Sequence, residues 1–132
     1  MTHYALKYLG REYVPRIYDC WTLVCDIYRE QYGVDLAAIQ INADNLRDVI
    51  HTFRTTEEFS NWDEVFEPVE GDVVLLKQSR HPIHVGVWVN CDGGGLLHCV
   101  KGNGVVFQSR NGLRDSGWKI ESYWRFKGIK NG

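Results

Sequence analysis

Asp19-Cys20-Trp21-Thr22-Leu23-Val24-Cys25-Asp26-Ile27-Tyr28-Arg29-Glu30-Gln31-Tyr32-Gly33 is the stretch on which the reading of the fold turns. Trp21, Val24, Ile27, Tyr28 and Gln31 recur at steps of three and four, which lays a mainly apolar stripe along one helical face. Asp19 is placed to cap the free N–H groups of the first turn, and Gly33 to turn left-handed past the last. The spacing predicts a helix over Cys20–Tyr32. Upstream, Met1 to Leu9 reads as a short helix broken at Gly10. Downstream, Asn42 caps a second helix from Ala43 to about Phe53, with Leu46, Val49, Ile50 and Phe53 inward. Thr56 caps a third, short one from Glu57 to Trp62, whose early acidic residues suit the positive end of the helix dipole.

From Gly71 the texture changes. Val73 to Leu76, His84 to Val89, Leu96 to Val100 and Val105 to Gln108 are short apolar or β-branched runs. Turn signals at Gly93-Gly94-Gly95 and Gly102-Asn103-Gly104 separate the later ones. Tyr123 to Lys127 adds a last strand. Helices followed by an antiparallel meander give an α+β fold, with N-terminal helices packed on a sheet of about five strands.

Composition bounds the function. A chain of 132 residues forms one hydrophobic core, so 1–132 reads as a single domain. Hydrophobic residues at 44% and charged residues at 24% exclude a disordered or collagenous chain. A net charge of -2 gives no reason to expect nucleic acid. Charge is nonetheless uneven: residues 1–66 carry six Lys/Arg against eleven Asp/Glu, and residues 67–132 nine against six, a minor hint of an anionic substrate. No apolar run approaches the roughly 20 residues of a membrane span, so no membrane insertion is expected. Met1-Thr2-His3-Tyr4-Ala5-Leu6-Lys7 lacks a signal-peptide core, which predicts synthesis for the cytoplasm or export without a Sec signal. In that setting the four cysteines do not read as a disulfide framework.

Cys20 falls in the first turn of its helix, where unpaired N–H groups and the dipole favour a thiolate, the attacking form. On that ground Cys20 should alkylate faster near neutral pH than Cys25, Cys91 or Cys99. His84 opens one strand and His98 lies on the strand paired with it, so a hairpin brings both to one end or one face. The glycine loop leaves their parity open. With the Cys20 helix packed on that sheet, His84 would accept the thiol proton and His98 would hold the imidazole in a productive tautomer. The plain alternative is two half-buried strand histidines with ordinary hydrogen bonds.

Four blocks resemble the NlpC/P60 cysteine peptidases, in the family's order: Tyr18-Asp19-Cys20-Trp21-Thr22-Leu23-Val24, Glu70-Gly71-Asp72-Val73-Val74-Leu75-Leu76, His84-Val85-Gly86-Val87-Trp88-Val89 and Leu96-Leu97-His98. The resemblance covers Leu9 to about Phe107. Ser109 to Phe126, with Trp118 and Glu121-Ser122-Tyr123-Trp124-Arg125, resembles the ending of stand-alone versions encoded with bacteriophage tails and gene-transfer agents. This resemblance implies a papain-like fold and hydrolysis of peptidoglycan stem peptides, commonly between D-γ-glutamyl and a diamino acid. It makes Cys20 the nucleophile, His84 the general base and His98 the orienting residue. Tyr13 matches the family's upstream tyrosine, which with the Cys20 N–H would polarise the scissile carbonyl. No cofactor is implied. The implied partners are the stem peptide and phage tail-tip proteins, in the virion tail or the host cytoplasm during assembly. Two departures stand out. Trp21-Thr22 replaces the usual Ser-Gly; beside Asp19, the bulky Trp21 would narrow the substrate groove or fill a subsite. Pro15-Arg16-Ile17 fills the place of the usual Gly-Gly, which bears on the reach of Tyr13.

Two other readings compete. His81, His84, Cys91, His98 and Cys99 are zinc-type donors, but Pro82 interrupts them and no Cys-x-x-Cys pair occurs. Alternatively, the chain is a catalytically silent tail-assembly protein that keeps the fold. Cys25 and Cys99 read as packing, Cys91 as exposed, and His3 and His51 as solvated. Trp62 and Trp88 read as core, and Trp118 and Trp124 as partner contacts.

Overall fold

A computed structural model describes residues 3–15, 17–36, 62–78 and 81–127, with the backbone alone at 81–83. The helix expected over Ala43–Phe53 lies outside the described residues, as does the one expected from Glu57, except for its last residue. That residue, Trp62, opens a strand instead.

Helix α2 (Cys20–Tyr32) forms with its expected bounds because both ends are specified locally. Asp19 is extended (φ -124, ψ -166), and its carboxylate accepts the Thr22 N–H at 3.0 Å and the Thr22 hydroxyl at 2.9 Å. Gly33 takes the left-handed φ of 67 and donates its N–H to the Tyr28 carbonyl. The buried face is Trp21, Leu23, Val24, Ile27 and Tyr28. Helix α1 (Ala5–Tyr8) is shorter than expected. After it, Gly10 donates to the Val105 carbonyl at 3.1 Å and Val105 donates to the Arg11 carbonyl at 2.8 Å. Residues 10–11 thus run along the outer strand of the sheet. The approach requires Gly104, where a Cβ would stand 2.3 Å from the Arg11 oxygen.

The sheet has six strands: β1 (Trp62–Val65), β2 (Val73–Gln78), β3 (His81–Val89), β4 (Gly95–Val100), β5 (Gly104–Gln108) and β6 (Lys119–Phe126). All neighbouring pairs are antiparallel, in the spatial order β1-β6-β2-β3-β4-β5. The expected meander accounts for β2 to β5. Strand β6 returns to lie between β1 and β2, held by Arg125, which clamps the buried Asp72 carboxylate with two bonds of 3.0 and 2.9 Å. A short helix, α3 (Arg110–Asp115), bridges β5 and β6.

Alternation divides the sheet into two faces. Val85, Val87, Val89, Leu97 and Cys99 join α2 in the main core. Val74, Leu76, Trp88, Leu96 and Leu113 form a smaller core on the other side, with Trp118, Ile120 and Tyr123 packed against it. His84, opposite Leu76 in the β2–β3 register, lies on this second face, as does His98.

Candidate active site

α2 packs against β3 and β4 where their ladder ends. The two strands pair at Val89↔Gly95, Trp88↔Leu96 and Val87↔Leu97; beyond that, β3 runs on beside β2 and β4 beside β5. Trp88 directs its N–H to the Asp72 carbonyl and its carbonyl to the Gly71 N–H, on the β2 side. Strand alternation therefore points the Val85 N–H towards β4, into the gap, and this N–H is bonded to the Cys20 thiol. Cys20 reaches the gap from the helix face, while His84 and His98 stand on the opposite face.

The histidines form a buried, directed pair. His84 is 7% exposed and His98 0%, and Nε2 of His84 lies 2.7 Å from Nδ1 of His98. Nε2 of His98 lies 2.8 Å from Oε1 of Gln108. Trp118 stacks on the His84 ring, centroids 4.6 Å apart at 25°, and meets His98 edge-on at 6.0 Å. Beside the pair, a cavity of about 410 Å³ is lined by Gln78, Val100, Asn103, Val106, Gln108, Ser116 and Trp118. Among the described residues, Nδ1 of His84 has no hydrogen-bond partner, and no hydrogen bond joins His84 to the Cys20 thiol.

The chain matches the model of the NlpC/P60 family over residues 7–125. It belongs to that family. Comparison with curated proteins finds no match. NlpC/P60 members are cysteine peptidases and amidases, and the family points to action on cell-wall peptides. The α+β fold, helices against an antiparallel sheet, is the family's. The match runs past Phe107 through most of β6, further than the four blocks reach.

The electrostatics correct one expectation. The helix start was expected to favour the Cys20 thiolate. Instead, burial pushes the thiol up to about 11; the Val85 and Trp21 backbone bonds oppose this, and the neighbouring Asp19 and Cys99 add to it. A helix terminus supplies about 0.3–1 kcal/mol, less than one pKa unit, so desolvation decides the outcome. Burial lifts Cys25 and Cys99 to about 11 as well. Burial moves the imidazoles the other way. His84 falls well below the ordinary value, from burial first and then the neighbouring His98, and His98 falls to about 4 despite the Gln108 bond. Thiol and imidazoles are all neutral near pH 7, the state suited to passing the thiol proton on as attack proceeds.

The other anticipated residues divide. Tyr13 packs against the main core near the thiol: its pKa is raised by burial first and then by Cys20 and Asp19. Asp19 faces inward to cap α2. Trp21, expected at the substrate groove, is 7% exposed and packs in the main core, because its stripe is the buried face of α2. Of the zinc-type donors, Cys99 points to the face opposite His98, and among the described residues no group of three or more His, Cys, Asp or Glu converges. Trp124, expected at a partner surface, is 2% exposed and donates to the Ser122 hydroxyl at 2.8 Å. Cys91 is half-buried against the main core, and His3 is engaged by Glu70. Sequence reasoning missed Gln108 altogether and gave Trp118 a different role. The signal for Gln108 was β5 itself: Val106 pairs with His98, and Gln108, two residues on, returns to the same face as its diagonal neighbour.

Proposed function

We propose that this protein is a cysteine endopeptidase of a phage tail tip, cleaving peptidoglycan stem peptides between D-γ-glutamyl and a diamino acid to open the wall. The buried His84–His98 pair beside a helix-start cysteine carries the reading. Cys20 passes its proton to Nδ1 of His84 as sulfur attacks the carbonyl carbon. The Cys20 N–H and the Tyr13 hydroxyl receive the oxyanion. His84 then protonates the leaving amine, which leaves a thioester. Water, deprotonated by His84, attacks the thioester and restores the thiol. His98 orients His84 throughout. The resemblance of residues 109–126 to tail-associated versions supports the location.

The test is digestion of purified sacculi with fragments identified by mass. Cys20→Ala and His84→Ala should abolish release, while His98→Ala leaves a residue. Activity retained by Cys20→Ala would reject the mechanism. One observation favours a second reading, a catalytically silent tail protein: the thiol of the half-buried Cys20 is unbonded to His84. That reading holds if the unaltered protein, alone and in assembled tails, releases nothing from sacculi of several species. Absence of the chain from purified virions by mass spectrometry would reject the tail location.

A further inference from the structure

We infer that Gln108 is a positioning residue that sets the proton direction of both imidazoles and so keeps Nδ1 of His84 free to accept. The inference rests on the catalytic reading above, but its geometry stands apart from it. Nε2 of the Gln108 amide lies 2.9 Å from the Ser116 hydroxyl and 3.4 Å from the Gly112 carbonyl. A hydroxyl accepts or donates, whereas a carbonyl accepts only, so Gly112 decides which way the amide faces. The NH2 faces α3, and the carbonyl Oε1 faces His98. This frame is itself held: Ser116 donates its N–H to the Gly112 carbonyl at 3.1 Å, and Gln78 donates to the Ser116 carbonyl at 3.0 Å.

The consequence runs along the chain of bonds. Each buried neutral imidazole carries one N–H. Facing Oε1, His98 must place its proton on Nε2, which makes Nδ1 an acceptor. His84 must then donate from its own Nε2, and its Nδ1 is left bare. Turning the amide over would reverse every bond and put a proton on Nδ1 of His84, where it would block transfer from the thiol.

Nitrogen-15 NMR of the imidazoles, together with kinetics on a stem-peptide substrate, tests this in the full chain. Both rings should read as Nε2–H tautomers. Gln108→Leu should leave His98 in mixed tautomers and lower kcat about 10- to 100-fold, the range for losing a partner that orients a functional imidazole, with KM little changed. Gln108→Glu keeps an oxygen towards His98 but loses both donors to α3. It should retain the tautomers, recover most of kcat and move the acid limb of the pH profile upward. Equal damage in both variants would show a merely structural role and overturn the inference. So would a proton on Nδ1 of either ring, or unchanged tautomers in Gln108→Leu. If Gln108→Leu does not fold, the tautomers of Gln108→Glu decide. Should the unaltered protein be inert on peptides, the catalytic reading falls while the NMR result still decides the proton direction.

Discussion

Gly86→Ala should damage stability and activity together, and the structure says by how much. Gly86 sits between His84 and Trp88 on the histidine face of β3. An added Cβ would lie 2.8 Å from Cδ1 of Leu96, 2.9 Å from its Cγ and 2.9 Å from Cβ of His98. Ordinary contact begins near 3.4 Å, so the neighbours must give by about 0.5 Å. Leu96 and His98 are both 0% exposed, and a Cβ moves only with its backbone. Overpacking of this kind costs about 1–3 kcal/mol, which for a domain of this size lowers Tm by about 5–10 °C. The same displacement stretches the 2.7 Å bond between the histidines past good geometry. Misplacing a functional group by 1 Å costs about 100-fold, so half that shift should cost about tenfold in peptide release. Thermal unfolding by circular dichroism and digestion of sacculi read the two effects. A variant as stable and as active as the parent would refute the reasoning. Lost stability with full activity would show that Leu96 alone yields.

Arg125→Leu removes both hydrogen bonds that its guanidinium donates to the Asp72 carboxylate, a group only 2% exposed, and should cost about 3 kcal/mol in denaturant unfolding. Adding Asp72→Asn should recover part of that cost; no recovery would mean that the charge left behind is not the cause. His98 is neutral when folded down to about pH 4 but titrates near 6.5 when unfolded. Its contribution is therefore complete above 6.5 and is lost as pH falls towards 4, by roughly 3 kcal/mol. His98→Leu should make the stability profile shallower over that window without levelling it, because His84, also held below its ordinary value by burial, keeps its own share. Alkylation of Cys20 by iodoacetamide should be slow at pH 7, comparable to Cys25, and rise with a midpoint of about 11. Rapid labelling at pH 6 would show a thiolate that burial does not suppress.

Local signals made much of the molecule legible. The bounds of α2 follow from a period, a cap carboxylate and one glycine, all within fifteen residues. β3 to β5 are joined by tight connections that Gly93-Gly94-Gly95 and Gly102-Asn103-Gly104 announce. What escaped is set by distant partners. β1 shows charged Asp63 and Glu64 between two apolar residues, and pairs with β6 some sixty residues away. α3 is a single short turn interrupted by Gly112, poor in intrinsic propensity. For the candidate site, the helix start singled out Cys20 and the family blocks singled out His84 and His98, but the face on which the two histidines stand needed the β3–β4 register, which the glycine loop left open. The height of the Cys20 pKa was not readable, because a dipole belongs to one helix whereas desolvation depends on everything packed around it. Trp21 illustrates the same limit: its position beside Cys20 suggested a groove, but its place in the α2 period assigned it to the core.

The placement of β6 has a consequence for biosynthesis. Residues 119–126 lie between two strands made much earlier, β1 on one side and β2 on the other. A nascent chain that has emerged only as far as β5 therefore exposes both of those edges, and Asp72 lacks its arginine. The sheet can close only once residue 126 is clear of the ribosome, so its middle strand is added last, after both of its neighbours have waited unpaired.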